Sequence, residues 1–239
     1  MDTSNLAAVV IVGLAGLVRG TTGFGGAMFM SPVLSILIGP VPTVVIALLL
    51  ETAGALVMFP DALPKANWRT LLFLTLPAIA TVPLGGYILL TVDPLIARKM
   101  IAAVVVLFSS MLLFGLRYTG TPRVATSIAL GSLVGALLGA TSVGAPPVIL
   151  YLLSGPDPVA VTRANLTIFV TAISVIGLVM LAAAGAISTP LAISAAALTI
   201  PFLLGIWLGG KLFDRLSETG IRRLALVLML LIGLVSLLL

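Results

Sequence analysis

Arg19, Thr22, Gly23, Gly25 and Gly26 crowd into one short stretch of otherwise apolar sequence, GLVRGTTGFGG. Those residue types at that spacing can bind an anion. The glycines, with Gly20, free the backbone to leave the helix, and the half-helix resuming near Ala27 points free N–H groups and a positive dipole end into the gap. Arg19 adds a full positive charge, and Thr22 adds a neutral hydroxyl. The pattern occurs twice: Gly16, Gly20, Thr22 and Gly25 recur 119 positions later, in register, as Gly135, Gly139, Thr141 and Gly144. There Ser142 adds a second hydroxyl, and Pro146 and Pro147 open the next half-helix, where a missing N–H is tolerated. Asn165, an amide at the start of the following apolar segment, caps that helix or contributes to the site. The candidate substrate-binding set is therefore Arg19, Thr22, Gly23, Gly25, Gly26, Thr141, Ser142, Gly144 and Asn165.

Glu51 stands at the middle of the apolar run from Thr43 to Phe59. A charge at such a position costs about 2.5–3.5 kcal/mol to insert, so it pairs or lines a pathway. Arg19 is the natural partner. Glu51 is then a candidate for proton coupling, taking a proton or releasing Arg19 as the site works. Leu138 and Val170 hold the equivalent positions in the second copy, so the pair is asymmetric. Cysteine and histidine are absent, which removes disulfides, thiolate nucleophiles and histidine relays. With one deep carboxylate there is no catalytic constellation, and no enzyme, metal or cofactor is expected.

The elements that must position these groups lie in a membrane. The chain is 61% hydrophobic and 8% charged, with a mean hydropathy of +1.33, far from the soluble average of about 25% charged. Polar breaks delimit eight apolar segments at about 6–38, 43–59, 70–91, 100–116, 124–153, 165–186, 190–210 and 221–239. The first is interrupted at 19–26 and the fifth at 139–147. The N-terminus lacks a basic region and a cleavage site, so the first segment is expected to be retained. A second match supports duplication: Thr75, Pro77, Leu84, Gly85 and Gly86 recur at an offset of 124 as Thr199, Pro201, Leu208, Gly209 and Gly210. These proline–glycine pairs read as helix packing. The chain divides into membrane repeats 1–119 and 120–239, an all-α integral membrane fold.

Residues 6–38 would form a helix of about 50 Å, too long for one crossing of about 30 Å. If segments 1 and 5 re-enter as hairpins, the loop cations at 65, 69, 117, 123, 163, 211, 215, 222 and 223 share one face, against Arg98 and Lys99 on the other. If those segments cross instead, the division is only seven to four. The tendency of Lys and Arg to stay cytoplasmic therefore favours inverted repeats. The net charge of +5 has this topological origin and does not imply nucleic acid. Broken segments at matching places in two halves are the pattern of a transporter binding site at mid-bilayer depth.

At GLVRGTTGFGGAMFMSPVL and its partner GALLGATSVGAPPVILYLL the chain resembles the TauE/SafE sulfite-exporter family, within the 4-toluene sulfonate uptake permease superfamily. A glycine-rich stretch followed by a proline, here Pro32, carries the resemblance; Tyr151 stands at that place in the second copy. The resemblance implies a secondary transporter of sulfite or organosulfonates, usually an exporter, in the bacterial inner membrane. Its partners would be a small anion and the lipid bilayer, and a homodimer is compatible with the plan. Two other readings compete. Thr21 to Gly25, TTGFG, fits a cation-channel filter, in which stacked carbonyls replace hydration water. A non-transporting membrane subunit would need none of these features.

Overall fold

A computed structural model describes residues 3–116, 118, 123–155, 157–213 and 218–239. Among the described residues the chain is helical, without strands. The helices are α1 (Thr3–Thr22), α2 (Gly26–Ile38), α3 (Pro40–Ala62), α4 (Trp68–Thr91), α5 (Pro94–Leu113), α6 (Val124–Thr141), α7 (Ala145–Leu153), α8 (Val159–Ala183), α9 (Thr189–Phe213) and α10 (Glu218–Leu238), with a 3₁₀ turn at Leu63–Lys65. Helices α3, α4, α5, α6, α8 and α9 supply six segments long and apolar enough to cross a membrane. The expected first and fifth segments are each two helices. Their breaks, at residues 23–25 and 142–144, are narrower than the expected 19–26 and 139–147. The reason is local: the Gly23 N–H still bonds the Arg19 carbonyl at 2.8 Å, and Ser142 N–H bonds Leu138 at 2.7 Å, so helical pairing continues to each tip.

Small residues set the helix packing. In α1, Gly13, Gly16 and Gly20 face Pro201, Phe202 and Ile206 of α9 in ascending order, so the two helices run parallel. In α6, Gly131, Gly135 and Gly139 face Leu74, Ala78 and Val82 of α4 in the same manner. Gly85, Gly205 and Gly209 complete these seams from the other side. Without side chains between them the backbones approach closely, which is how helices associate where burial from water supplies no drive. Gly20 is thus a packing residue inside α1 and not, as its place in the motif suggested, a backbone release.

Direction can be followed further from polar contacts. The hydroxyl of Tyr151, near the end of α7, bonds Ser127 and the Arg123 carbonyl at the start of α6, so α7 folds back along α6. Gly144 accordingly lies against Val134 and Leu138. Asn67, which caps α4 by accepting from Thr70 N–H at 3.3 Å, donates to Asp157 and to Asn165 Oδ1 in the second turn of α8; Pro158 is the N-cap of α8, so Asn165 does not cap that helix as expected. The starts of α4 and α8 therefore share one end of the bundle. Tyr151→Phe removes bonds inside an apolar interior and is expected to cost about 1–2 kcal/mol, read as a lower unfolding temperature in detergent.

Two apolar clusters lie on either side of α3. One joins α1 and α2 to α9, α10 and the later part of α5 through Val12, Met30, Leu50, Phe108, Phe202 and Met229. The other joins α4 to α6, α7 and α8 through Leu48, Leu74, Val134, Tyr151 and Phe169. Glu51 lies on α3 between them.

Candidate functional site

Arg19, in the last turn of α1, forms an ion pair with Oε2 of Glu51. Oε1 of Glu51 accepts the backbone N–H of Ala27, in the first turn of α2, at 3.0 Å. One carboxylate therefore joins the guanidinium to the half-helix N-terminus. Both side chains are nearly buried, with 12% and 9% exposure. The helix end stabilises the carboxylate, and the pairing offsets the cost of placing two charges in apolar surroundings.

Glycines make room for this contact. A Cβ on Gly26 would lie 2.8 Å from Glu51 Oε1 and 3.2 Å from the Phe202 ring. A Cβ on Gly54, one turn along α3 from Glu51, would lie 3.2 Å from Arg19 Nε. Gly25 has φ of 87° and caps the start of α2, a conformation that disfavours other residues. Phe202 and Ile206 of α9 close over the pair, and Met229 of α10 packs against Gly25. Gly54 was missed, although a small residue three positions after Glu51 on the same helix was a signal for it. Phe202 was not legible, because its neighbour Pro201 belonged to a motif that reads as packing.

Both tips are built alike. Thr22 donates to the Val18 carbonyl at 2.8 Å and accepts from Phe24 N–H at 3.3 Å. Thr141 donates to Leu137 at 2.7 Å and accepts from Val143 N–H at 3.2 Å. After each threonine the chain turns left-handed, at Gly23 with φ of 79° and at Ser142 with φ of 61°. The threonines thus hold the shape of the breaks, and their hydroxyls are engaged within them. The tips differ in donors: Pro146 and Pro147 occupy the first turn of α7 and remove two N–H groups that α2 retains.

The second tip meets the half-helix that follows the first. Ser142 at the second tip is 2.9 Å from Ser31 on α2, one turn beyond Ala27, and both hydroxyls are buried. Arg19, Gly25, Gly26 and Glu51 are gathered at the first tip, whereas Ser142 contacts α2 further along, at Ser31. Asn165 is elsewhere: its Oδ1 accepts the Asn67 N–H, and its Nδ2 is buried and has no partner among the described residues. Thr21 and Thr22 are helical and their hydroxyls bond carbonyls behind them, so TTGFG is not the extended carbonyl ladder a cation filter requires.

No curated protein and no solved structure matches the chain. A family model described as sulfite exporter TauE/SafE matches residues 8–236. With six span-length helices and a match over nearly its whole length, the chain is a multi-pass protein of the bacterial inner membrane and belongs to the sulfite exporter TauE/SafE family.

Proposed function

We propose that the protein is a secondary transporter of small sulfur oxyanions, sulfite or organosulfonates, binding them at the first tip and exchanging access by movement of one half against the other. The observation that carries this reading is that the site already holds a carboxylate. Arg19 and the Ala27 N–H grip Glu51 in the way they would grip a substrate oxyanion. Thr22, Gly23, Gly25 and Gly26 form the lining on one side, and Thr141, Ser142 and Gly144 form it on the other. Asn165, away from the tips in the second turn of α8, is assigned to the path leading to the site, because its Nδ2 is buried with no partner among the described residues.

In this reading residues 1–119 and 120–239 are inverted repeats whose broken segments re-enter from opposite faces. Three features support it. Helix α7 returns along α6, as a re-entrant hairpin requires. The duplication pairs α1 with α6 and α4 with α9, so the α1–α9 and α4–α6 seams are one contact made in both directions. The hairpin arrangement also leaves only Arg98 and Lys99 on the minority face; of the loop cations counted on the other face, Arg117 and Arg215 lie outside the described residues.

Proteoliposomes loaded with sulfite, sulfate, thiosulfate, sulfoacetate or chloride test the function. Flux of sulfite or the sulfonate is expected, with chloride carried poorly. Gly25→Leu forces a side chain onto a left-handed residue against Met229, and Gly144→Leu drives one into Val134 and Leu138. Each is expected to abolish flux while the protein remains monodisperse and membrane-inserted. Wild-type flux from either would remove the site.

A further inference from the structure

We propose that the site binds a proton together with each anion, because the substrate displaces a carboxylate that is already bound there. This rests on the anion site proposed above. The guanidinium of Arg19 and the N–H of Ala27 are the donors a small oxyanion would use, and Glu51 occupies both, one with each carboxylate oxygen. Two anions cannot share one cation and one helix end at close range without strong mutual repulsion. When the substrate arrives, the carboxylate leaves.

Among the described residues, a displaced Glu51 finds no other cation at mid-helix depth. Helices α2 and α6, which pack against α3, carry no charged or titratable residue. The charged and titratable groups on its other neighbours are Lys65 in the 3₁₀ turn, Arg69 and Tyr87 on α4, Arg98 and Lys99 on α5, Arg163 on α8 and Lys211 on α9. The cations among these stand near helix ends, whereas Glu51 is at mid-helix; Tyr87 is exposed. Asp61 lies in the last turn of α3 itself. An ionised carboxylate moved off Arg19 would be surrounded by Phe202, Ile206 and the apolar faces of α2 and α3, which favours its neutral form. The proton comes from bulk water through the small exposed fraction at the tip and is held on a Glu51 oxygen; no bond to the anion forms or breaks.

Linkage fixes the sign. An anion that binds only when Glu51 is protonated binds more tightly as pH falls, by up to about tenfold per pH unit where the empty site holds Glu51 as a carboxylate. Binding takes up about one proton per anion. When the anion leaves, Glu51 releases the proton and recaptures Arg19, so the empty site is electrically closed.

Isothermal titration of the full chain in detergent with thiosulfate, whose own charge is constant over the pH range used, counts protons when run in two buffers of different ionisation enthalpy. Wild type is expected to take up about one proton per thiosulfate. In Glu51→Gln, where the amide oxygen can still accept the Ala27 N–H, uptake is expected to vanish and affinity to become independent of pH. Glu51→Asp retains a proton acceptor and is expected to retain the uptake. Wild-type binding without proton uptake overturns the coupling and leaves the anion site standing. Uptake that persists in Glu51→Gln overturns Glu51 as the acceptor. Absence of binding by wild type to thiosulfate, sulfite and sulfoacetate alike overturns the transporter reading itself.

Discussion

Arg19→Met is expected to abolish oxyanion flux and to destabilise the protein by about 3–5 kcal/mol, the usual cost of removing one partner of a buried ion pair. The loss has two origins that can be separated. One is structural: Glu51 is left with a single N–H at Ala27 and no countercharge. The other is functional in the proposed reading, where Arg19 is the cation at the first tip, among the described residues, that attracts the oxyanion. In the double variant Arg19→Met/Glu51→Gln no charge remains to be paired, and most of the stability is expected to return. Flux is not. Unfolding temperature and proteoliposome flux, measured on both single variants and the double, distinguish a static brace from a binding site. A double variant that transports at the wild-type rate would reduce the pair to a brace between α1 and α3.

The second large effect is expected at the seams. Gly16→Leu and Gly139→Leu should each cost about 3 kcal/mol or more, at or beyond the upper end of ordinary overpacking, and prevent recovery of a monodisperse protein. The reason is the identity of the clashing atoms. A Cβ on Gly16 runs into the Phe202 carbonyl, and one on Gly139 into the Val82 carbonyl and the Gly86 amide. Backbone in a packed helix cannot rotate aside as a side chain does. Gly23 is the control: nothing lies within 4 Å of its added Cβ, so Gly23→Ala suffers only the strain of φ at 79°, about 1–2 kcal/mol. Size-exclusion profiles after extraction provide the comparison. Equal recovery of all three variants would mean that the seams are not close-packed.

The contrast divides the repeated glycine motif into two jobs that its spacing alone did not separate. Gly16 and Gly20, like Gly135 and Gly139, are four residues apart and lie on one helical face, the signature of close helix approach. The positions after each threonine belong to the break. Both jobs use glycine for its missing Cβ, so residue type could not tell them apart; only the atoms opposite each position do. The break itself was placed correctly, though too broadly, because a glycine within a helix is not distinguished by type from a glycine that ends it. Ser142 illustrates the same limit from the other side. It takes the left-handed role that Gly23 has in the first copy, yet a serine does not announce a positive φ.

The pairing of Arg19 with Glu51 was readable because two charges in one apolar half have few alternatives. That Glu51 also caps α2 was not readable, since 24 residues separate it from Ala27 in the chain. The sequence by itself determined the membrane-helical class, the two breaks in apolar segments and the charged residues beside one of them. Hydropathy and local backbone freedom are properties of short stretches, and they survive without knowledge of neighbours. The tertiary structure decided which carboxylate oxygen meets which donor, that Ser142 of the second tip meets Ser31 on α2, that Asn165 ties to Asn67, and that Phe202 seals the ion pair. Each of these depends on contacts between elements distant in the chain, where geometry rather than residue type determines which groups meet.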